Sequence, residues 1–512
     1  MIVPMQHLAL LALAAVAQFG LAGASHELHA SPEVLLGRHP VDVAAGQLHQ
    51  RGVQAQPVAD LAKIRRFVQN VESRYAKSAS LESNKWEDAA SSVRASESDS
   101  DRKRLDFTIA HSDDKVQNSI LLQIGQALKT GFDRVGLELG KAHDDAKKLV
   151  PRMLGSPASV IAIPLRDNVQ SEQQDAEYLV EAQIGTPPQT YTLQADSGSS
   201  DTWLASSNCN STPCKGVKGG RRRYNPDSSS TYKPTPSNRS FELYYSIGGV
   251  RGRMIRDSVG FRGSNDGAAV NVQSQTFGLA TELSSDFATD PTDGVLGLGF
   301  RALTTAGERP ILQNLFAQNA KLKAKMVAFY LGRKASGTDG KSEMRIGDTN
   351  RALFTGPIKY VPVSTRAYWA FKFGSFGVTG ASTANTVSGK TTNLEAIVDT
   401  GTSYIAMPYA QATAFWNAVP NSQSVAAYGY WVAPCSTLAK LSVDFTLPDG
   451  TSFRLHPSDL SAGVAYSGSS NCIGTIFSAD SGNKVIFGAS LIKSVYLVLD
   501  WGASRIGFAK AV

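Results

Sequence analysis

Cysteine is scarce: four residues in 512. A fold held mainly by disulfides is therefore excluded, and a chain of this length must instead be held by buried apolar cores, in more than one unit. Charged residues make up 19% against 42% hydrophobic, which is not the composition of a disordered chain. Long hydrophobic runs are missing as well. The one marked apolar run, residues 8–16, is too short to cross a bilayer, and the last residues carry no hydrophobic tail for a lipid anchor, so no membrane partner is expected. The eight histidines are scattered without metal-ligand spacing, so neither a metal nor another cofactor is expected. Strong charge asymmetry is absent too. Residues 25–171 hold 20 Lys+Arg and 19 Asp+Glu, leaving 31 and 25 for residues 172–512, a net of +6. Apart from Arg221-Arg222-Arg223, read as a solvated loop, these charges are dispersed, which argues against a nucleic-acid partner.

What is present begins with export signals. The 8–16 run followed by Ala22-Gly23-Ala24 reads as a secretory signal over 1–24, with a weak n-region of His7 and the amino terminus. In an exported chain the four cysteines can form two local bridges, although four allow three pairings. The sequons beginning at Asn210 and Asn238 become glycan acceptors. Residues 25–104 are polar and rich in Ser and Ala without a sustained period, ending in Asp101-Arg102-Lys103-Arg104, a possible dibasic cut. Apolar residues at three- and four-residue steps then predict a helix over 115–149, stopped by Pro151.

Beyond Pro164 the texture becomes all-β: short β-branched and aromatic runs, such as 178–184, 191–195, 241–245, 371–378 and 495–500, separated by Gly, Pro, Asn, Asp and Ser. Helical candidates are few, chiefly 310–319 and 409–419. An internal repeat stands out. Asp196-Ser197-Gly198-Ser199-Ser200 and Asp399-Thr400-Gly401-Thr402-Ser403 each follow an apolar run, and about a hundred residues later come Gly294-Val295-Leu296-Gly297 and Val485-Ile486-Phe487-Gly488. A lone carboxylate beside apolar neighbours must be bonded, paired or neutralised. Two related lobes can bring these Asp turns together on a two-fold axis, where Gly lets the backbones approach. Asp293 and Asp500 read as structural.

These motifs in this order resemble the pepsin-like aspartic endopeptidases, of fungal type and secreted as zymogens. The resemblance covers residues 178–510. It rests on Ile184-Gly185-Thr186-Pro187-Pro188-Gln189, both Asp turns, Trp203, the flap-like Phe241-Glu242-Leu243-Tyr244-Tyr245 with Gly248 and Gly252, residues 293–299, Val361-Pro362-Val363-Ser364 with Tyr368-Trp369, and Arg505-Ile506-Gly507-Phe508-Ala509. It implies a bilobal fold, with the prosegment over 25–171, an N-terminal lobe over 172–352 and a C-terminal lobe over 353–512. Asp196 and Asp399 are then the catalytic pair. Ser197, Ser199, Thr400 and Trp203 are supporting groups, and Tyr245, Ser246, Gly198, Gly401, Thr402 and Phe287 meet substrate. The bridges implied are Cys209–Cys214 and Cys435–Cys472.

The sequence departs from the family pattern at Ser197, at Ser246-Ile247 in the flap and at Ala489. The expected partners are peptide and protein substrates, pepstatin-type inhibitors and the chain's own prosegment, acting on a monomer. For the prosegment, Lys141, Lys147, Lys148, Arg152 and Arg166 are a candidate basic latch over the cleft. A secreted enzyme is expected, with a vacuolar one as the second choice. The competing reading is a catalytically silent protein of the same fold, binding or inhibitory, which loss of an Asp or of the flap Tyr would signal.

Overall fold

The computed structural model describes residues 160–171 and 174–512, except 218–219, 237–238, 246–247, 265–268, 306, 380–381 and 383–384, together with Ile64, Val68 and Val71. The expected signal, the dibasic site, the 115–149 helix, Lys141, Lys147, Lys148, Arg152, Asn238, Ser246 and Ile247 lie outside the described residues.

The β-branched runs become strands, as their pattern dictates. They include Gln174–Ile184, Gln189–Asp196, Ser240–Tyr245 and Val495–Asp500. The run at 371–378 is instead two strands, Ala370–Lys372 and Ser375–Val378, which enter different sheets. The expected helices are Ile311–Gln318 and Tyr409–Trp416.

Two sheets repeat one arrangement. In the first half, Gln189–Asp196, Gly294–Gly297, Trp203–Ala205 and Ala269–Leu283 lie side by side in that order. In the second half the same places are taken by Glu395–Val398, Lys484–Phe487, Ile405–Met407 and Ile476–Ser478. The directions repeat too: parallel, antiparallel, parallel. The strand leading into each Asp turn is thus paired with the strand of the apolar-Gly motif that the sequence repeat singled out. A third sheet of six antiparallel strands takes Ile161–Pro164, Met326–Tyr330 and Glu343–Ile346 from one half, and Phe354–Pro362, Val495–Asp500 and Arg505–Ala511 from the other. The halves also meet through aromatic rings. Phe300 lies 4.5 Å from Trp369 and 4.8 Å from Trp501, and Trp369 Nε1 donates to Leu298 O at 2.9 Å.

Strand alternation sorts side chains between clusters. Leu193, Ala195, Ala396 and Val398 enter the main core, whereas Ile397 faces a second cluster. The cysteines pair as Cys209–Cys214 and Cys435–Cys472. The Arg221–Arg223 reading needs correction, because Arg221 is only 5% exposed. Its guanidinium donates to the carbonyls of Thr292, Phe287 and Asp290, while Arg222 pairs with Asp293 at 3.0 Å. A guanidinium supplies five donors in a rigid fork, so three convergent carbonyls can draw it out of water. Three described residues of the upstream segment also differ from expectation. Ile64, Val68 and Val71 are helical, with an i, i+4, i+7 spacing, and buried.

Candidate active site

Each Asp turn is built from its own residues. Gly198 N donates to Asp196 Oδ1 at 2.9 Å, and Ser199 Oγ to Asp196 Oδ2 at 2.5 Å. The second turn repeats this: Gly401 N donates to Asp399 Oδ1 at 2.9 Å and Thr402 Oγ1 to Asp399 Oδ2 at 2.5 Å. Both carboxyl groups are buried, Asp196 at 1% and Asp399 at 0% exposed, so these donors replace the water that each has lost.

The turns are then locked across the interface. Ser197 N donates to Thr400 Oγ1 at 3.0 Å and Thr400 N to Ser197 Oγ at 2.9 Å. Their hydroxyls pass the bonds on, Ser197 Oγ to Val398 O at 2.9 Å and Thr400 Oγ1 to Ala195 O at 2.7 Å. Serine at 197 therefore supplies everything the lock asks of a hydroxyl. The two glycines set the approach: a Cβ on Gly198 would stand 2.4 Å from the Asp399 carboxyl, and one on Gly401 would stand 2.4 Å from that of Asp196. Each carboxyl lies against the other's turn.

On the strand that follows the first Asp turn, Trp203 Nε1 donates to Tyr245 Oη at 2.9 Å. Phe287 sits edge-on to both rings, with centroids 5.6 Å from Trp203 and 6.3 Å from Tyr245, and Val295 belongs to the same buried cluster. The structure thus groups Trp203, Tyr245 and Phe287, and it sets Ser197, Gly198, Ser199, Thr400, Gly401 and Thr402 around the carboxyl pair. Asn210 is far in role from this set; it is exposed and accepts from Arg223 Nη1 at 2.9 Å. Asp293 accepts from Thr192 N and Arg222 N at 2.8 and 2.7 Å, and Asp500 from Arg505 Nε at 2.7 Å, consistent with structural duties.

Residues 177–511 match the family described as "Eukaryotic aspartyl protease". The chain belongs to the eukaryotic aspartyl protease family. An "Aspartic protease" of Phaffia rhodozyma is 32% identical to it over 348 residues, covering 66% of this chain and 78% of the relative. "Cathepsin D" of Rattus norvegicus is 30% identical over 342 residues, 66% and 81% of the two chains. "Embryonic pepsinogen" of Gallus gallus is 31% identical over 407 residues, 75% and 97%. This aspartyl protease is accordingly an aspartic endopeptidase of all-β fold.

Two more groups stand near the site, of which the sequence marks Gln194 as a polar residue at a pocket position and leaves Asp201 unmarked. Gln194, two residues before Asp196 and so on the same strand face, donates from Nε2 to Gly401 O at 3.1 Å, linking the halves. Its polarity in an apolar strand was the available signal. Asp201, five residues after Asp196, is pushed up to about 6 by burial, although Thr305 N donates to it at 3.0 Å and works the other way. Nothing in its own sequence neighbourhood distinguishes it from a solvated turn residue.

Proposed function

We propose that Asp196 and Asp399 are the catalytic pair and hydrolyse peptide bonds through an activated water. Two carboxyl groups held this close to one another's turns ionise in two steps, so over a range of acid pH one is charged and one protonated. The charged member takes a proton from the water as its oxygen attacks the scissile carbonyl carbon. The protonated member gives its proton to the carbonyl oxygen, and a tetrahedral intermediate forms without an acyl-enzyme. Collapse of that intermediate, with proton transfer to the amide nitrogen, breaks the C–N bond. The activity is therefore expected at acid pH, and pepstatin-type inhibitors are expected to block it.

The observation that carries this reading is the crossed packing of the glycines, Gly198 against Asp399 and Gly401 against Asp196, which leaves no room for a side chain between the turns. The substrate lies as an added strand, and the apolar floor formed by Tyr245, Phe287 and Val295 favours large apolar or aromatic residues beside the cut. We infer a monomeric enzyme exported as a zymogen, as the relative named a pepsinogen suggests. The silent-protein reading loses ground because both Asp residues and Tyr245 are present.

The decisive variant is Asp399→Asn. It keeps size and the acceptor for Gly401 N but cannot divide into acid and base, so turnover at acid pH should fall by at least about 10². A folded variant retaining more than about a tenth of wild-type turnover would remove Asp399 from the pair.

A further inference from the structure

A basic cavity lies on the first half, lined by none of the carboxyl pair, Trp203, Tyr245 or Phe287. The strands Lys233–Pro234, Gly248–Arg262 and Ala269–Leu283 run side by side, and Lys233, Arg256 and Thr276 are register partners across them. Directly opposed residues share a sheet face, so Lys233 and Arg256 set like charges against each other, an arrangement that by itself destabilises. Arg256 Nε donates to Thr276 Oγ1 at 3.3 Å. Arg301 and Arg309 reach the same place from the stretch after Gly294–Gly297, Arg301 with its Nε donating to Gly307 O at 2.9 Å. With Ser274, Thr276 and Glu308, these arginines line one open cavity of about 340 Å³. Ser274 is held at φ 53°, in the left-handed region that a residue with a Cβ rarely adopts, at a bulge where Gln273 and Ser274 of one strand oppose Ser258 of the other. Such a bulge re-aims a side chain, and this one brings a hydroxyl to the arginines. Glu308 already has its partner, the guanidinium of Arg239. Arg256, Arg301 and Arg309 pair with no carboxylate among the described residues, so a concave surface gathers three uncompensated cations.

We propose that this cavity binds a phosphate group. The charge calls for an anion, and the donors select among anions. A guanidinium offers five N–H donors in a planar fork that fits two oxygens at once. Thr276 Oγ1 accepts from Arg256, which leaves its O–H to donate, and Ser274 supplies a second hydroxyl. A carboxylate has two oxygens and one charge for all of these, whereas a phosphate brings a charge of about −1.5 to −2 at neutral pH and a third acceptor oxygen. No aromatic ring lines the cavity, so a nucleic-acid base has nothing there to stack on. Free phosphate and a phosphorylated serine of a peptide present the same oxygens and are both sources of this group. The assignment stands apart from the proteolytic reading, because none of its residues belongs to the groups around Asp196 and Asp399.

The test titrates the full chain at neutral pH and fixed ionic strength, with binding read by calorimetry. Three probes are used: inorganic phosphate, an acetylated Ala-phosphoserine-Ala amide, and the same peptide without its phosphate. Wild type should bind a phosphate-bearing probe at one per chain and the unphosphorylated peptide not at all. Arg301 and Arg309 are exposed, so Arg301→Gln and Arg309→Gln should melt as wild type does. Each should weaken phosphate binding at least about tenfold, as loss of a hydrogen bond to a charged group commands. Arg351→Gln removes a charge just before a strand of the six-stranded sheet and should stay within about twofold. A phosphopeptide binding at least about tenfold tighter than free phosphate makes the peptide side chain the source, and equal or weaker binding makes it the free ion; both support the site. No saturable binding of either probe up to about 10 mM would overturn the proposal, and so would an equal loss in all three variants, which is the mark of net charge alone, or no loss at Arg301 and Arg309. If a glutamine variant melts lower than wild type, the rise in melting caused by about 10 mM phosphate decides in its place: a rise in wild type that Arg309→Lys cuts by at least about half supports the site, and equal rises reject it.

Discussion

At the scale of single residues, the site is a set of short hydrogen bonds that close each Asp turn and, through Ser197 and Thr400, cross between the turns, with Gln194 and Trp203 adding to them. Gln194 spans to Gly401 O, and Trp203 holds Tyr245. Replacing Gln194 with Leu turns a polar floor position apolar at the cost of one cross-half bond. The ratio of kcat/KM for peptides with Leu or Phe before the cut over those with Gln there should rise about tenfold, the range that one apolar pocket contact commands; an unchanged ratio would place Gln194 outside the pocket. Trp203→Phe keeps the ring packing against Phe287 but removes the donor to Tyr245. Turnover should fall about tenfold with melting nearly unchanged, because the bond orders Tyr245 rather than the core. Peptide profiling and steady-state kinetics check both.

At the scale of elements, the stretch that follows the Cys209–Cys214 bridge is held by a buried cation. Arg221 joins it to the residues before Gly294–Gly297, through the carbonyls of Phe287, Asp290 and Thr292, and burial pulls its guanidinium below the ordinary value. Arg221→Ala would leave three carbonyls without this donor, each unmet group costing about 1–3 kcal/mol. Thermal melting should drop by several degrees, and Arg221→Lys should recover little, since an ammonium cannot match the fork. A drop of less than a degree would mean that water replaces the guanidinium without penalty. The same loop explains why sequence alone misplaced it: an Arg run has one composition whether its carbonyl partners are absent or wait seventy residues downstream.

At the scale of the whole molecule, carboxyl burial sets how stability responds to pH. Asp201 is raised from 3.8 to about 6 by burial. Asp167 is raised to about 9, first by burial and then by the neighbouring Asp175 carboxyl, and neither of its oxygens meets an N–H or O–H donor, so the neutral form fits there. Asp175 moves the other way: burial opposes its charge, but Lys493 at 2.8 Å, together with hydrogen bonds from Asp167 and Lys334 N, holds it below the ordinary value. A raised folded-state value means that the native protein keeps a proton the unfolded chain gives up. The contribution is therefore complete below about pH 4, lost through about 6 for Asp201 and through about 9 for Asp167, whereas that of Asp175 is lost only as the pH falls below about 4. Asp201→Asn should leave melting at pH 4 nearly unchanged and raise it by a few degrees at pH 7, on the order of 2–3 kcal/mol. Adding Asp167→Asn should flatten the decline between pH 7 and 9. Melting curves across pH 4–9 decide, and a parallel shift at all pH values would contradict the assignment.

The sequence by itself determined the all-β texture, the two Asp turns and their repeat, because these depend on residues within a few positions of one another: a carboxylate, a hydroxyl three residues later and a glycine between them. It also marked the Gly-containing strands, since an apolar run ending in Gly reads the same wherever it pairs. The tertiary structure alone decided that Arg221 is buried, that Gln194 crosses to Gly401, that Asp167 meets Asp175 beside Lys493, and that Ile64, Val68 and Val71 share a buried cluster with Ile397. Each of these depends on partners between eight and more than four hundred residues away, beyond the reach of any local pattern of residues.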